Sequence, residues 1–233
     1  MHWIHKFQLF LFDFDGLLVN TEELHFAAYQ KMCFDRGFEL KWDFKRFCQA
    51  AHLSARGLCD GIYAEFPALL AQEPRWEVLY QEKKMAYMEL LHGGKLRLLS
   101  GVAELLEALQ KAGIKRCVVT NSTKEQVECI KMSLPLLKSI PEWITREQYD
   151  KPKPAPDGYL KALERFARPG DLVIGFEDSL KGLSSLEAAG CPGVLICPAF
   201  HPQMQTVQGK GILHFDSFRQ IPADTWIFNA DEK

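Results

Sequence analysis

Leu9-Phe10-Leu11-Phe12-Asp13-Phe14-Asp15-Gly16 is the stretch on which the fold turns. Four consecutive apolar residues run into two carboxylates one residue apart, and then a glycine. An apolar run of this length, closed by a turn residue, predicts a fully buried strand of a parallel sheet. Asp13 and Asp15 then stand where the strand ends, at the edge where open parallel sheets bind ligands. Gly16 permits a sharp turn, or presents backbone N–H groups to an anion. Two acids this close repel unless a cation or a shared proton separates them, so the stretch predicts a metal site. A plain strand-ending turn would use the same residues, and the rest of the chain has to decide.

Working outward, the chain of 233 residues has room for one large domain or two small ones. Its 47% hydrophobic and 25% charged residues are ordinary globular values, enough for a sizeable core. A net charge of -2 gives no basic footprint for nucleic acid or acidic membranes. Cys33, Cys48, Cys59, Cys117, Cys129, Cys191 and Cys197 are scattered, with no Cys-x-x-Cys pair. Their odd number and apolar settings predict reduced, mostly buried thiols in a cytoplasmic protein. The N-terminal apolar run stops at Asp13, too short for a signal peptide, and no stretch reaches the length of a membrane span.

After the first strand, Asn20-Thr21-Glu22-Glu23 offers a helix start with Asn20 as N-cap and Glu23 three residues on. From there to about residue 95 the pattern is helical throughout. Phe44, Phe47 and Cys48 mark one short helix; Leu58, Ile62 and Phe66 mark another, closed by Pro67. Pro74 opens a longer one through Trp76, Leu79, Met85, Met88 and Leu91, ended by His92-Gly93-Gly94. Beyond Ser100 strands and helices alternate. Helix Val102–Leu109, strand Lys115–Val119, a helix with a Ser122/Glu125 capping box and a short strand at Trp143-Ile144-Thr145 come first. Helix 157–166, strand Leu172–Phe176, a helix to Gly190, strand Val194–Cys197 and an edge strand near Ile212–Phe215 follow. Such alternation means right-handed βαβ crossovers and a parallel sheet. The expected architecture is α/β: a Rossmann-like parallel-sheet core from residues 1–18 and 96–233, with an inserted α-helical cap at 19–95.

Three predicted strands end in polar residues that could meet on one edge: Asp13/Asp15, Thr120/Asn121 and Glu177/Asp178. Between the last two lies a lysine-rich loop, Lys151-Pro152-Lys153-Pro154-Ala155-Pro156-Asp157. Asp13, Asp15 and Asp178 would supply the hard oxygen ligands that Mg²⁺ prefers. Thr120, the N–H of Asn121 and one lysine would bind phosphoryl oxygens, helped by the positive end of the following helix. Each element alone has a bland reading as a helix cap or a solvated loop. Their order along the chain is what makes chance a poor account.

With these motifs the chain closely resembles the haloacid-dehalogenase-like superfamily of aspartate-dependent phosphotransferases, in the subgroup with a helical cap inserted after the first core strand. Asp13-Phe14-Asp15-Gly16, Thr120-Asn121, Lys153-Pro154-Ala155-Pro156-Asp157 and Phe176-Glu177-Asp178-Ser179 match its four motifs in order. The resemblance implies that Asp13 is the nucleophile and Asp15 the general acid/base, which also lends Mg²⁺ its backbone carbonyl. Thr120 and Asn121 would hold the phosphoryl group, Lys153 would neutralise charge beside Asp13, and Asp178 would be a Mg²⁺ ligand with Glu177 next to it. Lys153, rather than Lys151, abuts Pro-Ala-Pro-Asp as in the family pattern. Asn20 stands where related capped enzymes commonly carry aspartate. His25-Phe26 resembles the corresponding stretch of beta-phosphoglucomutase, and His25, Arg56 and Lys84 are the candidate substrate contacts of the cap.

The physics agrees with those roles, because a carboxylate attacking a phosphate needs a divalent cation and a lysine to offset anion–anion repulsion. The expectation is a monomeric, Mg²⁺-dependent phosphatase acting on a small phosphorylated metabolite of the sugar-phosphate or phosphoglycolate type. No nucleic-acid or membrane partner is expected. The alternatives are a sugar phosphomutase of the beta-phosphoglucomutase kind and a non-catalytic phosphate-binding regulator.

Overall fold

The computed structural model describes residues 2–53, 56–93, 96–207, 209 and 211–222. The expected end of the cap at Lys95, the Gly94 helix stop and the segment 223–233 lie outside the described residues. Two compact units divide the chain: Met1–Val19, Leu98–Ala199 and Gly211–Lys233 in one, Asn20–Arg97 and Phe200–Lys210 in the other.

The first unit is built on a parallel sheet. Among the described residues its strands are β1 (Leu9–Phe12), β2 (Lys115–Val119), β3 (Glu142–Ile144), β4 (Val173–Glu177), β5 (Gly193–Ile196) and β6 (His214–Phe215). They lie in the order β3-β2-β1-β4-β5-β6, every neighbouring pair parallel. This is the predicted α/β, Rossmann-like arrangement, and the quoted stretch supplies a central strand, which is why it is apolar on both faces. Leu9 and Leu11 join Cys117, Val119, Tyr159, Ala162 and Leu186 in one core cluster. Phe10 and Phe12 point the other way and stack on Phe176, with ring centroids 6.0 and 5.5 Å apart. Each such fully buried side chain contributes roughly 1.5–3 kcal/mol of burial free energy.

That alternation sets the site. Asp13 continues the Leu9/Leu11 side, and Glu177 continues the side of Val173 and Gly175. The register pairs Phe12 with Phe176, and the Asp13 N–H extends the ladder to the Phe176 carbonyl at 3.0 Å. Two carboxylates therefore leave adjacent strands on the same side. Gly16 then turns the chain with φ 79°, a conformation that glycine alone adopts at little cost.

The helices of the second unit are α1 (Thr21–Asp35), α2 (Phe44–Leu53), α3 (Gly57–Glu65), α4 (Pro67–Gln72) and α5 (Trp76–His92). Pro67 does close α3, but it also opens α4, where its missing N–H costs nothing in the first turn. The unit has its own core, including Tyr29, Met32, Leu40, Trp42, Phe47, Ile62 and Leu79. Helix α1 packs along α5, and the Arg36 guanidinium at its end pairs with Glu82. Asn20 does not cap α1 with its side chain. Its Oδ1 instead accepts the Arg97 N–H at 2.8 Å.

The sheet unit also carries α6 (Val102–Lys111), α7 (Lys124–Ser133), α8 (Asp157–Phe166) and α9 (Leu180–Ala188), and the helical unit ends with α10 (Met204–Val207). The expected core of 96–233 includes residues 200–210, whereas this segment groups with the helices. The capping box of α7 is one residue later than expected: Thr123 and Gln126 form it, not Ser122 and Glu125. Ser122 is engaged elsewhere, as described next.

Candidate active site

The site lies at the carboxyl-terminal edge of the sheet and is made wholly from the sheet unit. Lys153 is its centre. This lysine is 5% exposed, and Asp13 and Glu177 are 7% and 1% exposed. Its Nζ donates to Asp13 Oδ1 at 2.5 Å, Glu177 Oε1 at 2.6 Å and the Val119 carbonyl at 2.8 Å. All three protons of the ammonium are thus used. The Tyr159 hydroxyl, 3.1 Å from the same nitrogen, donates to Glu177 Oε1 at 2.5 Å. Lys151, by contrast, is exposed, and its backbone N–H donates to Asp157.

The loop that carries Lys153 is fixed from both sides. Asn121 Oδ1 accepts the Lys153 N–H at 3.2 Å and the Tyr149 hydroxyl at 2.7 Å. Ser185 of α9 donates to the Ala155 carbonyl at 2.7 Å.

Asp15 sits in different surroundings. Its Oδ2 accepts from Ser122 Oγ at 2.6 Å and Thr120 Oγ1 at 3.2 Å. Thr120 Oγ1 in turn accepts the Ser122 N–H at 2.9 Å. Asp15 Oδ1 is buried and has no hydrogen-bond partner. The turn at Gly16 therefore separates two carboxylates that a straight strand would hold on one face. One faces a buried cation and the other faces two hydroxyls.

Burial pushes the Asp13 pKa up, and the charges of Glu177 and Asp15 add to the rise, while the Lys153 ammonium pulls it back as its ion-pair partner. Burial also works against the Lys153 ammonium, yet the carboxylates of Asp13 and Glu177 outweigh it and hold its pKa above the ordinary lysine value. Tyr159 is held far above the usual phenol range by burial and by the neighbouring carboxylates, so it stays a hydroxyl donor.

The residues fit a divalent cation. Asp13, Glu177 and Asp178 each place a carboxylate oxygen within 4.8 Å of the others. Asp13 and Glu177 share one buried ammonium, and Glu177 Oε2 is buried with no hydrogen-bond partner. An all-oxygen donor set of this kind suits Mg²⁺.

The expected cap residues lie in the helical unit. His25 Nδ1 is 2.6 Å from Lys83 Nζ, and its ring stacks on Tyr87 at 4.1 Å. Burial and the Lys83 charge hold the His25 pKa well below the ordinary histidine value, so the ring is neutral and accepts from the ammonium. Arg56 and Lys84 are exposed. Arg56 faces Asp60 and Cys59 of its own helix, and Lys84 lies over the Tyr80 ring one turn back. The buried lysine of α5 is Lys83, at 4% exposure, rather than Lys84. Residue spacing held the signal, since Lys83 falls on the buried stripe of Leu79, Ala86, Tyr87 and Leu91. Tyr159 and Ser122 also escaped the sequence reading: the first looks like an ordinary core aromatic and the second like a helix cap.

The sequence pattern shared by the family described as haloacid dehalogenase-like hydrolase matches residues 10–196, from within β1 to the end of β5. The chain belongs to this family. Among its relatives, Protein CbbY of Rhodobacter capsulatus is 28% identical over 79% of this chain and 83% of its own. The phosphorylated carbohydrates phosphatase of Thermotoga maritima is also 28% identical, over 77% of this chain and 80% of its own. The crystal structure of a CbbY variant from Rhodobacter sphaeroides in complex with xylulose 1,5-bisphosphate agrees in fold. Its TM-score is 0.68 at 23% identity, covering 92% of this hydrolase and 96% of that chain. Among the described residues, no helix is long and apolar enough to cross a membrane.

Proposed function

We propose that this hydrolase is a phosphatase of small phosphorylated sugars that works through a phosphorylated Asp13. The observation that carries this reading is the contrast between its two acids. Asp13 is tied to a buried ammonium, whereas Asp15 is held by Thr120 and Ser122 with its second oxygen unpaired. An attacking carboxylate needs positive charge beside it, and a proton carrier needs an oxygen with no other hydrogen-bond partner. The phosphorylated carbohydrates phosphatase of Thermotoga maritima among the relatives supports a sugar phosphate as substrate.

In the first step a carboxylate oxygen of Asp13 bonds to phosphorus as the ester oxygen leaves, and Asp15 gives that oxygen its proton. In the second, Asp15 takes a proton from water, the resulting hydroxide oxygen bonds to phosphorus, and the Asp13 carboxylate departs. Lys153 stays bound to Asp13 Oδ1 and keeps the carboxylate oriented. Thr120, once its hydroxyl turns from Asp15, and the Asn121 N–H would receive the other phosphoryl oxygens. Asp13 and Asp178, with the Asp15 carbonyl and with Glu177 beside them, would hold Mg²⁺. When bound, the ion offsets charge on the phosphoryl group and on Asp13.

The test is a panel of phosphorylated sugars with purified protein and Mg²⁺, combined with acid quench and mass spectrometry of the adduct. Phosphate and dephosphorylated sugar should appear in equal amounts, with the adduct on Asp13. Asp13→Asn should abolish turnover and labelling together, whereas Asp15→Asn should still accept phosphate from a substrate with a good leaving group. An adduct on another residue overturns the assignment, and isomerised sugar phosphate without phosphate release would mark a mutase instead.

A further inference from the structure

Among the described residues, a second group of metal-competent side chains lies in the helical unit. It comprises Glu22 in the first turn of α1, Cys48 within α2 and His201 in the Phe200–Lys210 segment. Each contributes one ligand atom, and the three atoms lie within 4.8 Å of one another. Cys48 is 1% and His201 6% exposed, while Glu22 is half-buried. The three positions are too far apart in sequence for any spacing motif to show them.

We propose that Glu22, Cys48 and His201 form a binding site for a Zn²⁺-type divalent cation, unconnected with the phosphatase chemistry. The donor set decides the class of ion. A thiolate and an imidazole beside one carboxylate disfavour Mg²⁺, which takes hard oxygen ligands, and suit Zn²⁺. The cysteine gives up its proton on binding, so thiolate and carboxylate together offset the two charges of the ion. Bond lengths of about 2.0–2.3 Å in a tetrahedral site put neighbouring ligand atoms roughly 3.3–3.8 Å apart. Ligand atoms that lie within 4.8 Å of one another would draw together to reach that spacing. Three protein ligands leave a fourth position for water. The Gln203 N–H faces His201 Nδ1 at 3.5 Å, a long contact given up at small cost by the tautomer that presents Nε2 to the ion.

A second observation concerns the segment itself. Among its described residues His201, Gln203 and Val207 are buried, and Phe200 is 67% exposed. Val207 is the one buried apolar side chain among them, with Pro202 and Met204 half-buried. Ligation of His201 would tie the segment to α1 and α2, coupling ion binding to the ordering of residues 200–207.

The experiment uses the full chain, stripped with a chelator and titrated with Co²⁺ as a coloured stand-in for Zn²⁺. The wild type should develop a thiolate-to-cobalt charge-transfer band at one equivalent, and Zn²⁺ should bleach it. The oxygen-only cluster at Asp13 cannot produce that band, so the two sites are told apart. Cys48→Ser should lack the band, and Cys59→Ser should keep it. His201→Asn and Glu22→Gln should weaken Zn²⁺ binding by more than the about 10–100-fold typical of losing an outer-shell partner. Zn²⁺ should slow hydrogen exchange in residues 200–207 of the wild type but not of Cys48→Ser. Absence of the band in the folded wild type overturns the proposal whatever the variants do, and so does a band that survives Cys48→Ser.

Discussion

Replacing Lys153 by methionine removes the one ammonium that joins Asp13 and Glu177 and leaves two carboxylates facing each other in the interior. Removing one partner of a buried ion pair costs about 3–5 kcal/mol, because the charge left behind has neither water nor a counter-ion. The variant has one escape, which is to bind a proton on one of the two carboxyls. Protonating a carboxyl whose unfolded pKa is about 4 costs about 4 kcal/mol at pH 7 and about 1.5 kcal/mol at pH 5, at 1.36 kcal/mol per unit. The folded variant thus holds a carboxyl with a raised pKa. Its stability is retained at low pH and lost as pH rises through the neutral range. Relative to wild type, Lys153→Met should be destabilised by about 3–4 kcal/mol at pH 7 and by less than half of that at pH 5. Urea unfolding in EDTA, followed by hydrogen exchange in β1 and β4, reads both values. Adding Glu177→Gln to the variant should flatten the pH dependence, since an amide needs no proton to become neutral. A loss below about 1 kcal/mol at pH 7, or one that does not change with pH, would refute the picture of two confined carboxylates sharing one lysine.

Three other substitutions test other parts of the structure. A Cβ at Gly182 would lie 1.9 Å from Glu177 Oε2, and Glu177 is held in place by Lys153 and Tyr159. Gly182→Ala should therefore lower stability by about 1–3 kcal/mol, despite alanine's better helix propensity, as a melting experiment would show. Ser122→Ala removes the 2.6 Å donor to Asp15 Oδ2; kcat should drop about tenfold with KM nearly unchanged, the value of one hydrogen bond to a charged group. His25 is held neutral by burial and by Lys83, so the unfolded chain binds more protons below pH 6.5 and wild-type stability falls as pH drops through that range. His25→Asn should show a shallower fall between pH 7 and 5 in paired melting curves.

The fold was legible because its signals are local. The run Leu9–Phe12 could only be a strand covered on both sides, and the later βα alternation required neighbours for it. The acids at strand ends were legible for the same reason, since a strand's last residues reach the edge whatever the register. What sequence could not supply was competition between partners. Ser122 looks like a helix cap until Asp15 is placed beside it, and the cap then moves to Thr123. Asn20 was expected to cap α1 until the chain returning at Arg97 took its side-chain oxygen. Lys83 and Lys84 differ by a single position around a helix, and only the stripe of buried neighbours tells them apart. The affiliation of residues 200–210 with the helical unit has no local signature at all, because its buried residues are mostly polar.

The central position of β1 has a consequence for how the chain is made. Leu9 pairs with Lys115 on one side and Val173 on the other, so β1 leaves the ribosome well before the strands that flank it and cannot be completed until β4 has followed. Helices α1 to α5, encoded in between, share a core of their own and can condense during that interval. Meanwhile Leu9-Phe10-Leu11-Phe12 waits as an unpaired apolar strand, the kind of segment that adheres to other chains. The same four residues that make the finished sheet secure are thus its most vulnerable feature during synthesis. Asp13 and Asp15 at their border supply the charge that discourages such contacts until β2 and β4 close over them.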